Sequence, residues 1–204
     1  SFGIGKKIDF KNIQFSFSSS SFVTILDNVI TKQSLEINGS NLIYYDSNYY
    51  EILANQNSES GIVYGLSGSL FITFFKNLKV HSSLCYTRGV LKNTHIPMSH
   101  IPPLFGKLNL NYTFKKIEFQ ILNNFNAEKI NKLFGQGNTD NPLEASPMGY
   151  PSWWVINTQV GYQYRESLNL SLGLYNLLDI HYKTFASGIS APGRSLMASA
   201  KLSF

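Results

Sequence analysis

Leu168-Asn169-Leu170-Ser171-Leu172-Gly173-Leu174-Tyr175 puts a leucine at every second position and an amide or small residue between. Successive side chains of an extended strand point to opposite faces, so this stretch predicts a strand with one apolar and one polar face. The stretch before it has the same form. Trp154, Ile156, Val160, Tyr162 and Tyr164 alternate with Asn157, Gln159, Gly161, Gln163 and Arg165, and Glu166-Ser167 supplies a two-residue turn. Working outward, the period continues through residues 2–10, 13–17, 64–74, 78–86, 108–114, 117–125 and 196–204, which makes nine strand segments.

Charged residues are 14% of the chain, against roughly 25% in a soluble domain. Hydrophobic residues reach 43%, yet Thr73 already interrupts the strongest apolar run, residues 70–75, and a spanning helix needs about 20 such residues. A soluble β-sandwich buries its apolar face and shows water a face rich in Lys and Glu. Here the polar face is amide, hydroxyl and glycine, which predicts lipid outside and a wet lumen inside. In hydrocarbon every backbone N–H and C=O must be paired, and strands achieve that only in a closed barrel. The connections alternate in length. Short turns fall at Lys11-Asn12, Lys76-Asn77, Lys115-Lys116 and Glu166-Ser167, and long segments at 31–50, 90–103, 128–152 and 183–193. Short periplasmic turns and long extracellular loops are the expected asymmetry of an outer-membrane barrel. Phe10, Phe74, Phe114, Tyr164 and Phe204 would form the aromatic girdle at one rim, and Tyr86, Phe125, Trp153, Trp154 and Tyr182 the other.

Other classes fit poorly. The 17 Lys and Arg against 12 Asp and Glu form no run, so nucleic acid is not an expected partner. Cys85 is the only cysteine, which excludes an internal disulfide. No catalytic constellation stands out, so no enzyme activity is expected, and no cofactor. His95, Met98 and His100 share one long loop and are the candidate ligand-binding residues, as His and Met suit haem, iron or copper. Lys107, Arg165 and Lys201 are expected to face the lumen. The chain starts at Ser1 with no Met and no charged segment leading into an apolar one, so either a signal sequence was removed or the chain starts inside something larger.

Several motifs resemble TonB-dependent outer-membrane receptors. Residues 174–182, Leu-Tyr-Asn-Leu-Leu-Asp-Ile-His-Tyr, resemble their N-L-[FL]-D-x-x-Y signature, and residues 188–194, Gly-Ile-Ser-Ala-Pro-Gly-Arg, their G-x-x-x-P-G-R loop. Residues 64–70 resemble their Y-G-[VL]-E-G-x-[FL] strand, with Ser67 in place of the acid, and residues 100–107 their I-P-P strand entry. The wording of residues 148–153 and 186–194 resembles receptors of Bacteroidetes-type bacteria. The resemblance implies the C-terminal portion, residues 1–204, of a 22-stranded barrel in the cell outer membrane of a Gram-negative bacterium. The plug domain that closes the lumen would be absent from this chain. It further implies uptake of an iron chelate, haem or similar nutrient, with outer-membrane lipid, the missing plug and strands, the TonB–ExbB–ExbD motor and the barrel-assembly machinery as partners. Asn176, Asp179, Tyr182, Pro192, Gly193 and Arg194 would be structural, and Phe204 the C-terminal assembly signal. Two alternatives stay open at this point: a stand-alone eight-stranded outer-membrane protein in which residues 2–10 form no strand, and a soluble lipocalin-like binder.

Overall fold

The computed structural model describes residues 1–57, 59–135 and 139–203. Its elements are β1 (Phe2–Phe10), β2 (Ile13–Leu26), β3 (Ile30–Ser34), β4 (Leu42–Tyr45), β5 (Asn48–Glu51), β6 (Leu53–Asn57), β7 (Gly61–Phe74) and β8 (Leu78–Leu91). These are followed by β9 (Phe105–Phe114), β10 (Ile117–Asn126), β11 (Lys129–Ile130), β12 (Gly149–Tyr150), β13 (Trp153–Arg165), β14 (Leu168–Tyr175) and β15 (Ser195–Leu202). Nine of them form one antiparallel sheet in the order β1-β2-β7-β8-β9-β10-β13-β14-β15. β1 is paired along its whole length with β2, and β15 pairs only with β14 among the described residues. The eight-stranded closed barrel is therefore not what forms: the sheet is linear, with an open edge at each end.

Register makes the two faces continuous. One row across the sheet reads Ile8, Phe15, Ile72, Val80, Leu110, Ile121, Thr158, Leu174 and Leu196. The row one residue away, on the other face, reads Asp9, Gln14, Thr73, Lys79, Asn111, Gln120, Gln159, Gly173 and Met197. A one-residue slip in any pair would exchange the faces beyond it, so the pattern fixes the register. On the polar face, hydroxyls pair across strands: Ser18 with Ser69, Ser20 with Ser67 and Ser171 with Ser199, each at 2.7 Å.

The apolar face is left uncovered. The chain exposes 13985 Å², whereas a closed soluble monomer of its 23.0 kDa mass would expose about 9,600 Å². Leu66, Leu172, Leu196 and Leu202 are all more than half exposed. The buried apolar residues among those described are Leu91, Tyr150 and Val155, which lie at or beside the long-loop end of the sheet. This is the opposite of a lipocalin, whose apolar face packs inward.

Arg165 departs from its expected place. A register shift between Gln163 and Arg165 sets Arg165 opposite Leu168, which puts it in line with the apolar face. Its guanidinium lies 5.4 Å from the Tyr164 ring centre. Lys107 and Lys201 keep the polar register, opposite Ser83 and Asn169. The turn between β7 and β8 has three residues rather than two, with Phe75 and Lys76 in the left-handed region at φ 47° and 65°. No helix is long and apolar enough to cross a membrane, which says nothing of crossing by strands.

Gly106 is required by close approach. A Cβ there would lie 2.5 Å from the Ser83 carbonyl oxygen and 2.7 Å from the Phe125 ring, which covers the glycine. Gly106→Ala is expected to cost about 1–3 kcal/mol, read from urea unfolding in lipid vesicles.

The long connections carry structure of their own. Residues 30–57 extend the β2–β7 hairpin as a ribbon, with β3 on β6 and then β4 on β5, so segment 31–50 is not an irregular loop. Asp46 and Ser47, both at positive φ, close its tip as a two-residue turn. Tyr44, Tyr45, Tyr49 and Tyr50 are exposed there.

Candidate ligand-facing loop cluster

The connections after β8, β10 and β14 fold against one another at one end of the sheet. Asp140, with no exposed surface, joins the first two. Its carboxylate accepts the His100 N–H and the Gly135 N–H, each at 2.7 Å. The His100 imidazole Nδ1 lies 3.8 Å from the same carboxylate but is largely exposed. Tyr150 on β12 donates its hydroxyl to the Asn141 carbonyl at 2.9 Å, and Asn141 Nδ2 donates to the Ala186 carbonyl at 2.7 Å, which ties in the third connection. Phe134, Tyr150 and Phe185 pack together with ring centres 5.4–6.1 Å apart. Lys129, only 5% exposed, lies 4.8 Å over the Phe185 ring and donates to the Ile101 carbonyl. Burial pushes its ammonium below the ordinary lysine range, Asp140 opposes that and Arg88 adds to it. Burial also raises the Tyr150 phenol.

Glu59 fastens the ribbon to the connection after β8. It accepts the backbone N–H groups of Asn93 and Thr94 and the Thr94 hydroxyl. The Thr94 hydrogen bond leads in holding this carboxyl below its ordinary range. The fastening is thus complete above the ordinary carboxylate range and is lost as pH falls through the lowered value. Protection of the Asn93 and Thr94 amides, relative to their intrinsic exchange, is expected to fall over that acid window, and Glu59→Gln to remove most of that pH dependence.

Of the three candidate ligand residues, the fold brings two together. Met98 and His100 line one cavity of about 260 Å³ between the base of the ribbon and the connection after β8, together with Ile30, Lys32 and Asn55. His95 is not among its lining residues. Met98 is engaged in packing: its sulfur would touch a Cβ on Gly61 at 3.2 Å, and its N–H donates to the Gly89 carbonyl. No group of three His, Cys, Asp or Glu able to hold a metal occurs among the described residues.

The motif residues form a joint between β14 and β15. Asn176 is 4% exposed at φ 49°, a left-handed position that asparagine tolerates. Its Nδ2 donates to the Ile180 carbonyl at 2.9 Å and the Pro192 carbonyl at 3.1 Å, and its Oδ1 accepts the Ile180 N–H at 2.9 Å. Asp179 accepts the Arg194 backbone N–H at 2.7 Å, and a Cβ on Gly193 would press to 3.1 Å on that carboxylate. Tyr182 packs on Trp153 with ring centres 4.5 Å apart. Phe204 lies outside the described residues.

The sequence matches the family model "TonB dependent receptor-like, beta-barrel" over residues 1–177. The chain belongs to the TonB-dependent receptor β-barrel family. A probable TonB-dependent siderophore receptor, PirA of Acinetobacter baumannii, is 24% identical over 170 residues, covering 76% of this chain and 22% of that protein. A probable TonB-dependent receptor, BfrD of Bordetella pertussis, is 34% identical over 79 residues, covering 36% of this chain and 11% of that protein. Among solved structures, the copper transporter OprC superposes with a TM-score of 0.73 at 18% identity, over 99% of this chain and 30% of OprC. PirA of A. baumannii superposes at 0.63 with 16% identity, over 99% of this chain and 31% of PirA. As a receptor barrel, the chain spans less than a third of the length of these relatives, and the structural likenesses establish the TonB-dependent receptor fold.

The Asp140 cluster is the part of the site that sequence reasoning missed. Its members are scattered over residues 100–186 with no period, and a single Asp in a polar segment carries no signal of burial.

Proposed function

We propose that this chain forms barrel wall and extracellular loops of an outer-membrane receptor for TonB-dependent uptake of an iron chelate, in a Gram-negative bacterium. The observation that carries the reading is the family match over a sheet with one continuous apolar and one continuous polar face. Relatives described as siderophore receptors support the iron-chelate class. In this reading residues 1–204 are the C-terminal portion of the barrel. Further strands close the open edges of β1 and β15, because unpaired backbone groups are costly in hydrocarbon. A plug fills the polar lumen, and an inner-membrane TonB–ExbB–ExbD motor pulls on it. The barrel-assembly machinery inserts the strands, with Phe204 in its signal. The loop cluster around Asp140 supplies a rigid rim at which ligand first binds, with Met98 and His100 at its cavity and His95 beside it. Binding, release and plug movement then constitute the activity, with no bond made or broken in the substrate.

The test is uptake of radiolabelled ferric chelates and haem in a strain lacking the gene. Loss of uptake of one chelate, restored by the intact gene and abolished by uncoupling the motor, is expected. Unchanged uptake of every chelate and of haem would overturn the reading.

A further inference from the structure

Arg88 stands on β8 opposite Tyr64, in the register that continues through Leu66, Leu70 and Ile72. It is thus a cation on the apolar face of the sheet. Its height is set by the strand. Arg88 lies ten residues from Leu78, and strands tilted about 45° climb about 2.3 Å per residue, so it stands about 23 Å above the short turn. The apolar band of such barrels is about 25 Å tall, which places Arg88 at the opposite rim, where the outward tyrosines Tyr64 and Tyr86 also sit.

The guanidinium has no ion-pair partner among the described residues. The ion pairs among the described residues are Lys7–Asp9, His100–Asp140 and Lys183–Glu144. Its charged neighbours are Lys129, which it repels, and Glu128, which lines the same cavity. That cavity, of about 180 Å³, opens beside β8 where pairing with β9 has ended, and Tyr86, Arg88, Pro102, Leu104 and Lys129 line it. An arginine at a lipid rim, beside a lysine and with the Glu128 carboxylate outside ion-pair distance, is left free to take an anion. Phosphate oxygens match the fork of guanidinium donors.

We propose that the cavity beside β8 is a phosphate-group site at the outer rim of the barrel, with Arg88 as its principal ligand and the phosphate of an outer-leaflet lipid as its occupant. Lys129 adds positive potential from behind while its own ammonium stays bound to Ile101. Tyr64 and Tyr86 flank the lipid headgroup. The site rests on the outer-membrane placement proposed above, and recovery of the protein in the outer-membrane fraction tests that placement separately.

The experiment compares the protein extracted from outer membranes with its Arg88→Gln and Arg88→Lys variants by native mass spectrometry. The probes are bisphosphorylated lipid A, the same lipid without phosphates, and inorganic phosphate. Arg88→Gln is expected to weaken binding of the phosphorylated lipid about tenfold, Arg88→Lys by less, and neither to change binding of the dephosphorylated lipid. Competition by millimolar inorganic phosphate would assign the site to the free anion, and its absence to the lipid-borne one; either supports a phosphate-group site. Heat-modifiable gel mobility, unchanged in both variants, establishes that the barrel is intact. Equal binding of phosphorylated lipid by wild type and Arg88→Gln would overturn the proposal, as would an equal loss with the dephosphorylated lipid.

Discussion

Asn176→Ala will unfasten the joint between β14 and β15 and lower barrel stability by about 3 kcal/mol or more. The substitution removes the partners of the Ile180 N–H, the Ile180 carbonyl and the Pro192 carbonyl at a site only 4% exposed. Each buried group left without a partner costs about 1–3 kcal/mol, and alanine at φ 49° adds about 1 kcal/mol more. Asn176→Asp keeps the acceptor for Ile180 but turns a carboxylate oxygen toward two carbonyls, so it is expected to be no better than alanine. Arg194→Ala, by contrast, leaves the backbone N–H that Asp179 binds. It should cost under about 1 kcal/mol, while Asp179→Ala costs about 1–3 kcal/mol. Urea unfolding in lipid vesicles and heat-modifiable gel mobility measure all four. Wild-type behaviour of Asn176→Ala would show that the joint does not hold the strands.

Leu172→Arg and Ser171→Arg, one residue apart, will differ by about 1–4 kcal/mol. Leu172 lies in the apolar register with Val160 and Ala198, four residues above Leu168 at the short-turn end of β14. A cation there faces the middle of the hydrocarbon and costs about 2–4 kcal/mol. Ser171 lies in the polar register beside Ser199, where a cation is solvated by the lumen and costs under about 1 kcal/mol. The pair tests the assignment of faces rather than the quality of packing. Equal effects would mean that both faces see the same medium, which no lipid-embedded sheet allows.

What could be read in the chain follows from what is periodic. Alternation at 168–175 and at its eight counterparts needs no knowledge of neighbours, so strand number and facing were legible. The short turns were legible because Lys-Asn, Lys-Lys and Glu-Ser interrupt the alternation, although Phe75, an aromatic, hid the third residue of one. Arg165 was misplaced because the register shift after Gln163 depends on how β14 pairs, not on the local pattern. The ribbon of residues 30–57 was missed for another reason. Its Tyr44–Tyr49 pairing is short, and both its faces are exposed, so no apolar period announces it. In the loop cluster, His95, Met98 and His100 stood out by residue type, yet Asp140 and Lys129 organise the space around two of them. Burial of a charged group is decided by partners distant in sequence, and such partners are invisible until the fold is known.

The nine strands lie side by side in the order in which the chain presents them. Every pairing is therefore made with the previous strand of the sheet, and the intervening chain reaches 34 residues only at 27–60. Closing a loop costs only about 0.6 kcal/mol more for each doubling of its length, so no step waits on a distant segment. Growth can proceed as a zipper, each arriving strand templated by the one before it. A strand inside this order is templated on one side and templates the next on the other. A defect in β8 would thus interrupt pairing with both β7 and β9, and so separate the strands before it from those after it. The severity of such a lesion during assembly should depend on where it falls in this order, independently of how much it weakens the finished wall.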